Sequence, residues 1–310
     1  MMDCTVIVPV YYNEGSITTT FNKVKTVLDS NTYSNAYEFI FVDDGSADGS
    51  YTELQQLRAE YPSLVRLIKF TRNFGQVAAM KAGYMHARGR CVINISADLQ
   101  DPPALINDML NYYFEEKYEV VICTRQDREE SWFRKKTSLF FYKTMQKLTF
   151  KNMPLGGFDF ALLSRKVIDA FIHNHEANPF WQGQVLWTGY KIKFIPYQRL
   201  KREIGKSRWT FGKKIKYLID GVLAYSYFPL RFMTGLGIVL FLAGLIYAII
   251  IVLSYFIGNV PFKGWAPIMI LVLILSGIQM LMLGIIGEYL WRTLDQVRDR
   301  PQFIIESIEE

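Results

Sequence analysis

Cysteine and histidine are scarce in this chain, with three of each among 310 residues. Cys4, Cys91 and Cys123 each lie within an apolar, strand-like run and lack metal-ligand spacing. That excludes a disulfide framework and reads as small buried hydrophobes in a reducing compartment. His86, His173 and His175 form no zinc pattern. Internal repeats and low-complexity linkers are missing as well. No signal-like apolar segment precedes the first strand-like run, so this part of the chain is expected to stay unexported.

Charge is missing from two long stretches, residues 232–262 and 265–287, apart from a lysine in the link between them. Each exceeds the ~20 residues a helix needs to cross a bilayer core. A helix apolar on every face over such a length suits lipid better than the core of a soluble protein. Lys213, Lys214, Lys216 and Arg231 precede the pair, and Arg292, Arg298 and Arg300 follow it. The positive-inside rule then puts both chain ends in the cytoplasm. Acid is nearly absent between Lys191 and Lys216, where Glu203 is alone, and this basic stretch suits anionic headgroups. The next segment, 211–227, reads as an amphipathic interfacial helix.

What remains is an alternation. β-rich runs at 5–10, 38–42, 65–70, 91–95 and 120–124 are separated by helix-like segments at 16–29, 50–60, 76–87 and 103–116. Such a pattern predicts a mostly parallel α/β sheet with helices on both faces, whose ligands bind at the carboxyl ends of the strands. A further helical pattern at 132–150 carries Arg134, Lys135, Lys136, Lys143 and Lys147, and suits a membrane surface or a polar face on the domain equally. The strands end in Asn13-Glu14-Gly15, Asp43-Asp44-Gly45-Ser46, Arg72-Asn73-Phe74-Gly75 and Ser96-Ala97-Asp98, so four polar loops converge on one edge.

Asp98, with Gln100 and Asp101 close by, offers hard oxygen ligands suited to Mg²⁺ or Mn²⁺. In isolation it equally caps a helix entered through Pro102-Pro103. Asp43-Asp44-Gly45-Ser46 alone reads better as an ordinary Asp-Gly turn with a Ser cap for the next helix, and Tyr11-Tyr12-Asn13-Glu14 alone is unremarkable.

Taken together, these segments resemble the family 2 glycosyltransferases of the GT-A, Rossmann-like fold, and among them the polyprenyl-phosphate glycosyltransferases. That group includes bactoprenol glucosyltransferases and dolichol-phosphate mannose synthase. The resemblance rests on Val8-Pro9-Val10-Tyr11-Tyr12-Asn13-Glu14, Val42-Asp43-Asp44-Gly45-Ser46, Thr71-Arg72-Asn73-Phe74-Gly75, Ala97-Asp98-Leu99-Gln100-Asp101-Pro102-Pro103, Gly157-Phe158-Asp159-Phe160 and Gly287-Glu288-Tyr289 with Arg292-Thr293. It implies a metal at Asp98 and Gln100, and donor contacts from Pro9, Tyr11, Asn13, Glu14, Asp43, Asp44, Arg72, Gly75, Ser96, Arg125, Ser207 and Arg208. It also implies catalytic roles for Asp98, Asp159, Arg134 and Arg202, the last within the loop Arg202-Glu203-Ile204-Gly205-Lys206-Ser207-Arg208. The family's metal motif commonly reads aspartate-any-aspartate, whereas Ser96 stands here in the first position and brings no charge.

The layout so implied is a catalytic domain over 1–210, an interfacial helix over 211–230, spans at 231–257 and 265–290, and a cytoplasmic tail over 291–310, in a bacterial inner membrane. The implied partners are a nucleotide-sugar donor (a UDP-sugar), a polyprenyl phosphate acceptor, the membrane and further copies of the chain in a homotetramer, with no nucleic acid. A processive polysaccharide synthase would carry a glutamine-any-any-arginine-tryptophan segment, which Trp181-Gln182-Gly183-Gln184-Val185 does not supply. A non-catalytic membrane scaffold would not need Asp43, Asp44, Asp98 and Asp159 all in place.

Overall fold

The computed structural model describes residues 2–125, 139, 142–173, 176–200, 211–256 and 266–310. The described chain forms two units, one of Met1–Val222 with Asp299–Glu310, the other of Leu223–Arg298.

In the first unit β1 (Cys4–Val10), β2 (Tyr37–Asp43), β3 (Val65–Phe70) and β4 (Cys91–Asn94) are separated by α1 (Ile17–Asp29), α2 (Ser50–Glu60) and α3 (Gln76–His86). After α4 (Leu105–Phe114) come β5 (Val120–Arg125), β6 (Ala161–Ser164), α5 (Arg165–Ile172), α6 (Trp181–Trp187) and β7 (Ile192–Tyr197). Residues 142–148 are helical. These elements match the expected alternation to within about two residues as far as β5. Residues 132–138, 140 and 141 of the pattern expected at 132–150 lie outside the described residues. The β6–α5–α6–β7 stretch was not anticipated.

The elements form for ordinary reasons. β1 and β2 are buried along almost their whole length, as strands covered on both faces must be, and read as near-continuous apolar runs. α1 buries Ile17, Thr20, Phe21, Val24 and Leu28, the three-and-four spacing of one helix face. Phe21 packs against Phe39 and Phe41 from β2, fixing α1 over the sheet. Cys4, Cys91 and Cys123 are buried free thiols, as the sequence indicated.

One eight-stranded sheet results, ordered β7-β5-β6-β4-β1-β2-β3 and closed by β8 (Ile305–Glu309). β6 and β8 run antiparallel to their neighbours, and the other six strands share one direction. β8 comes from the segment read from the sequence as a C-terminal tail. It pairs with the edge of β3, and Phe303 stacks on Phe70 with ring centroids 5.0 Å apart.

α7 (Phe211–Tyr225) follows β7 in the chain and falls on the segment expected to be helical. The second unit is dominated by α8 (Phe228–Phe256) and α9 (Ala266–Val297). Within them, Phe228–Ser254 and Ile274–Val297 are long and apolar enough to cross a bilayer. Their side chains, such as Phe241, Ile246, Leu281 and Leu283, lie exposed around the helices, as lipid-facing residues do. At the polar end of α9, Arg292 pairs with Glu288 one turn earlier, and Tyr289 Oη donates to Ser226 O.

Candidate active site at the strand ends

β1 continues to β2 on one side and has β4 on the other, so the chain reverses its direction of travel across the sheet at the β1/β4 boundary. At such a switch point two neighbouring loops leave in opposite directions and open a crevice at the carboxyl ends of the strands. The β1–β4 ladder stops at Ile7 and Asn94, while β1 stays paired with β2 to Val10. Pro9, which has no N–H, therefore sits where β1 has already parted from β4.

The loop after β4 turns through Leu99, whose φ of 59° is unusual for a branched residue. This turn gathers three side chains. The Ser96 hydroxyl lies 2.7 Å from Asp98 Oδ1 and 2.9 Å from Asp101 Oδ2, and is shared between two carboxylates. Both aspartates are buried, at 6% and 1% exposure. The N–H of Gln100 donates to Asp98 Oδ1, and its side-chain amide donates to Leu200 O while Leu200 N–H donates back to Gln100 O. Gln100 thus clamps the chain beyond β7 to the Asp98 loop.

A polar chain runs on from there. Tyr197 Oη donates to Asp101 Oδ1 and accepts from Arg125 Nε at 3.4 Å, and Arg125 Nη2 pairs with Asp159 Oδ2. Burial lowers the pKa of Arg125, but Asp159, Asp101 and Tyr197 outweigh it and hold the guanidinium firmly charged. Burial, then Asp101, pushes the Tyr197 phenol well above its usual range, so it remains a donor. Gly156 permits this approach: a Cβ there would collide with the Arg125 carbonyl. Asp159 is thereby delivered to the end of β5.

Sequence reasoning missed Tyr197 and Arg199. Arg199 Nη2 lies 3.9 Å from Asp98 Oδ2, and its Nε lies 4.0 Å from Asp101 Oδ1. Their signal was the Tyr197-Gln198-Arg199 punctuation of β7, like that of the earlier strands.

On the β1/β2 side several nominated residues organise loops. Asp44 accepts from Asn73 Nδ2 at 2.9 Å, Phe74 N at 2.6 Å and Gly75 N at 2.9 Å, building the turn after β3. Gly45 lets that turn close: a Cβ there would lie 2.6 Å from the Arg72 carbonyl carbon, and its φ is +71°. The Arg72 guanidinium sits 4.3 Å from the Phe74 ring centroid. Asn13 Oδ1 accepts from Tyr11 N, and Glu14 accepts from Gly49 N at the start of α2. Asp43 is fully buried at the end of β2. Burial raises its pKa, against the lowering by Ser46 and Lys69.

Arg134, Arg202, Ser207 and Arg208 lie outside the described residues. Of the rest, the structure brings Ser96, Asp98, Gln100, Arg125 and Asp159 into one connected cluster, with Asp101, Tyr197 and Arg199 added. Among the described residues no group of three or more His, Cys, Asp and Glu side chains forms a self-contained metal cage. The oxygen-only set of Asp98, Asp101 and Gln100 still fits Mg²⁺ or Mn²⁺, which commonly take one or two carboxylates and complete their shell with substrate phosphates and water.

Residues 5–171 match the description Glycosyl transferase family 2, and residues 228–292 match that of the GtrB C-terminal hairpin. The chain is 37% identical to the uncharacterized glycosyltransferase YkcC of Bacillus subtilis, covering 98% of this chain and 93% of the relative. It is 31% identical to the prophage bactoprenol glucosyl transferase homolog of Escherichia coli over 100% of both chains. Mannosyl-3-phosphoglycerate synthase from Rubrobacter xylanophilus shares the fold, with a TM-score of 0.50 at 13% identity over 72% of this chain and 73% of that one. The protein is thus a glycosyltransferase with a mostly parallel GT-A-type sheet. It belongs to glycosyl transferase family 2.

Proposed function

We propose that the protein transfers a hexose from a UDP-sugar, UDP-glucose or a relative of it, to a polyprenyl phosphate such as undecaprenyl phosphate at the cytoplasmic face of a membrane. The observation that carries this reading is the buried polar chain from Asp98 through Ser96, Asp101, Tyr197 and Arg125 to Asp159 at the switch-point crevice. The helices holding the two candidate spans and the full-length likeness to the Escherichia coli relative support a lipid acceptor. The layout proposed is a catalytic domain over 1–210, an interfacial helix over 211–230 and spans at 231–257 and 265–290, with both chain ends cytoplasmic. Copies of the chain associate as a tetramer.

Asp43 accepts a hydrogen bond from the base, with Asp44 fixing the loop of Arg72 and Gly75 around it, and Pro9, Tyr11, Asn13 and Glu14 line the β1 side. Asp98 and Gln100 hold the divalent cation, which when bound neutralises charge on the departing diphosphate. The acceptor phosphate, whose second pKa is about 6, is already ionised at neutral pH and needs no strong base. Arg125 and Asp159 orient it, with Arg134, Arg202 and Arg208 completing the cationic lining and Ser207 offering a hydroxyl. An acceptor oxygen attacks the anomeric carbon as the bond to UDP breaks, inverting the configuration in one displacement. A membrane-anchored catalyst meets its lipid acceptor at high local concentration.

The test is turnover by the full chain in lipid nanodiscs with Mn²⁺ and a panel of nucleotide sugars. UDP release that requires polyprenyl phosphate and yields a glycolipid is expected. Release without any lipid product, or none with any donor, would overturn the reading.

A further inference from the structure

Arg199 stands between the two carboxylates of the candidate metal site, yet bonds to neither. Its terminal nitrogen is 3.9 Å from Asp98 and its Nε 4.0 Å from Asp101, beyond hydrogen-bond range. The Nε is buried and has no hydrogen-bond partner. An unpaired buried guanidinium N–H is costly, so the position is held by something other than its own bonding. The holder is the two-way pair of Gln100 with Leu200, which fixes the backbone beside Arg199 and leaves the side chain, 28% exposed, as a loosely seated counter-ion.

Asp98 and Asp101 together bring two carboxylates into a poorly hydrated pocket, where the hydroxyls of Ser96 and Tyr197 reach them but supply no positive charge against their mutual repulsion. A guanidinium at about 4 Å relieves part of it. A divalent ion directly on the carboxylates relieves far more, and two cations on the same oxygens repel. The partner without hydrogen bonds is the one that yields. The planar fork of the released guanidinium matches phosphate oxygens.

We propose that Arg199 is an exchangeable counter-ion: it occupies the Asp98/Asp101 site until a divalent cation arrives with the nucleoside diphosphate, then moves onto the diphosphate. The inference rests on the donor reading above, and it makes Arg199 oppose binding of the metal alone while favouring binding of the metal–nucleotide pair.

Mn²⁺ binding to the full chain in detergent, followed by electron paramagnetic resonance without nucleotide, and UDP binding by calorimetry with Mn²⁺ present, test those opposite signs. Arg199→Gln is expected to tighten Mn²⁺ alone about five- to tenfold, the effect of one nearby charge in a semi-aqueous site, and to weaken UDP about tenfold. Arg199→Lys keeps the charge but loses the fork, so Mn²⁺ affinity stays near that of the unaltered protein while UDP affinity falls. Melting curves of both variants check folding, and the Lys variant carries the test if the Gln variant unfolds. Unchanged or weaker Mn²⁺ affinity in Arg199→Gln, with normal UDP binding by the unaltered chain, overturns this proposal alone. An unaltered chain that binds neither Mn²⁺ nor UDP overturns the donor reading with it.

Discussion

The two ends of the strands each set an arginine among carboxylates, and they do so differently. At the amino ends of the strands Arg66 Nη1 donates to Glu38 at 3.2 Å and to His86 O at 2.7 Å, while Nη2 donates to Glu310 at 2.6 Å. Glu38 is filled further by Thr5 Oγ1 at 2.7 Å and Arg88 N at 2.8 Å. At the carboxyl ends Arg199 has only the long contacts of 3.9 and 4.0 Å. The first edge holds its arginine by three hydrogen bonds within the protein, although Arg66 Nε, like Arg199 Nε, finds no partner, and it pins β8 to the sheet. The second holds charge in place without closing it, which is how a site keeps affinity for a ligand.

The strongest way to break the contrast is to empty the closed edge. Glu38→Ala leaves Arg66 short of a buried partner and should cost about 3–5 kcal/mol of stability, with activity per folded molecule retained. Denaturant unfolding paired with turnover per folded chain reads both, and a loss of specific activity at full stability would contradict the division of roles.

At the open edge the outcome should be reversed. Asp98→Asn should lower kcat about 10²–10³-fold with little change in melting temperature. A large fall in melting temperature would move Asp98 to the structural side.

Asp43 gives the smallest and most diagnostic effect. Burial raises its pKa in the folded chain, so the folded state binds its proton more tightly than the unfolded one, and this residue's contribution to stability falls as pH rises through the unfolded value near 4. Asp43→Asn should therefore raise the melting temperature at pH 7, with the gain vanishing below about pH 4. The same variant should weaken UDP binding. A gain independent of pH, or unaltered UDP affinity, would remove the carboxylate from the base contact.

Much of this was legible beforehand. The run of buried β-branched residues in β1 and β2, the amphipathic spacing of α1 and the two uncharged stretches are local patterns set by backbone geometry and by transfer from water. Asp98 was readable because it follows a strand and precedes a proline-fixed helix entry. Tyr197 was not, because it meets Asp101 across 96 residues of chain, and nothing local to either residue encodes that meeting. Nor was the return of residues 305–309 to β3, since a short alternating segment past a long apolar helix looks the same whether it hangs free or closes a sheet edge.

The sequence by itself thus determined the alternation of strands and helices, the polar loops at the strand ends and the two apolar stretches, because each follows from the chemistry of a few adjacent residues. The order of strands was decided only in three dimensions, and with it which loops meet. By setting β4 beside β1 and β7 beside β5, the tertiary structure brought Arg199 to Asp98 and linked Asp98 to Asp159. Side chains far apart in sequence become partners only when packing fixes the distance between the backbones that carry them.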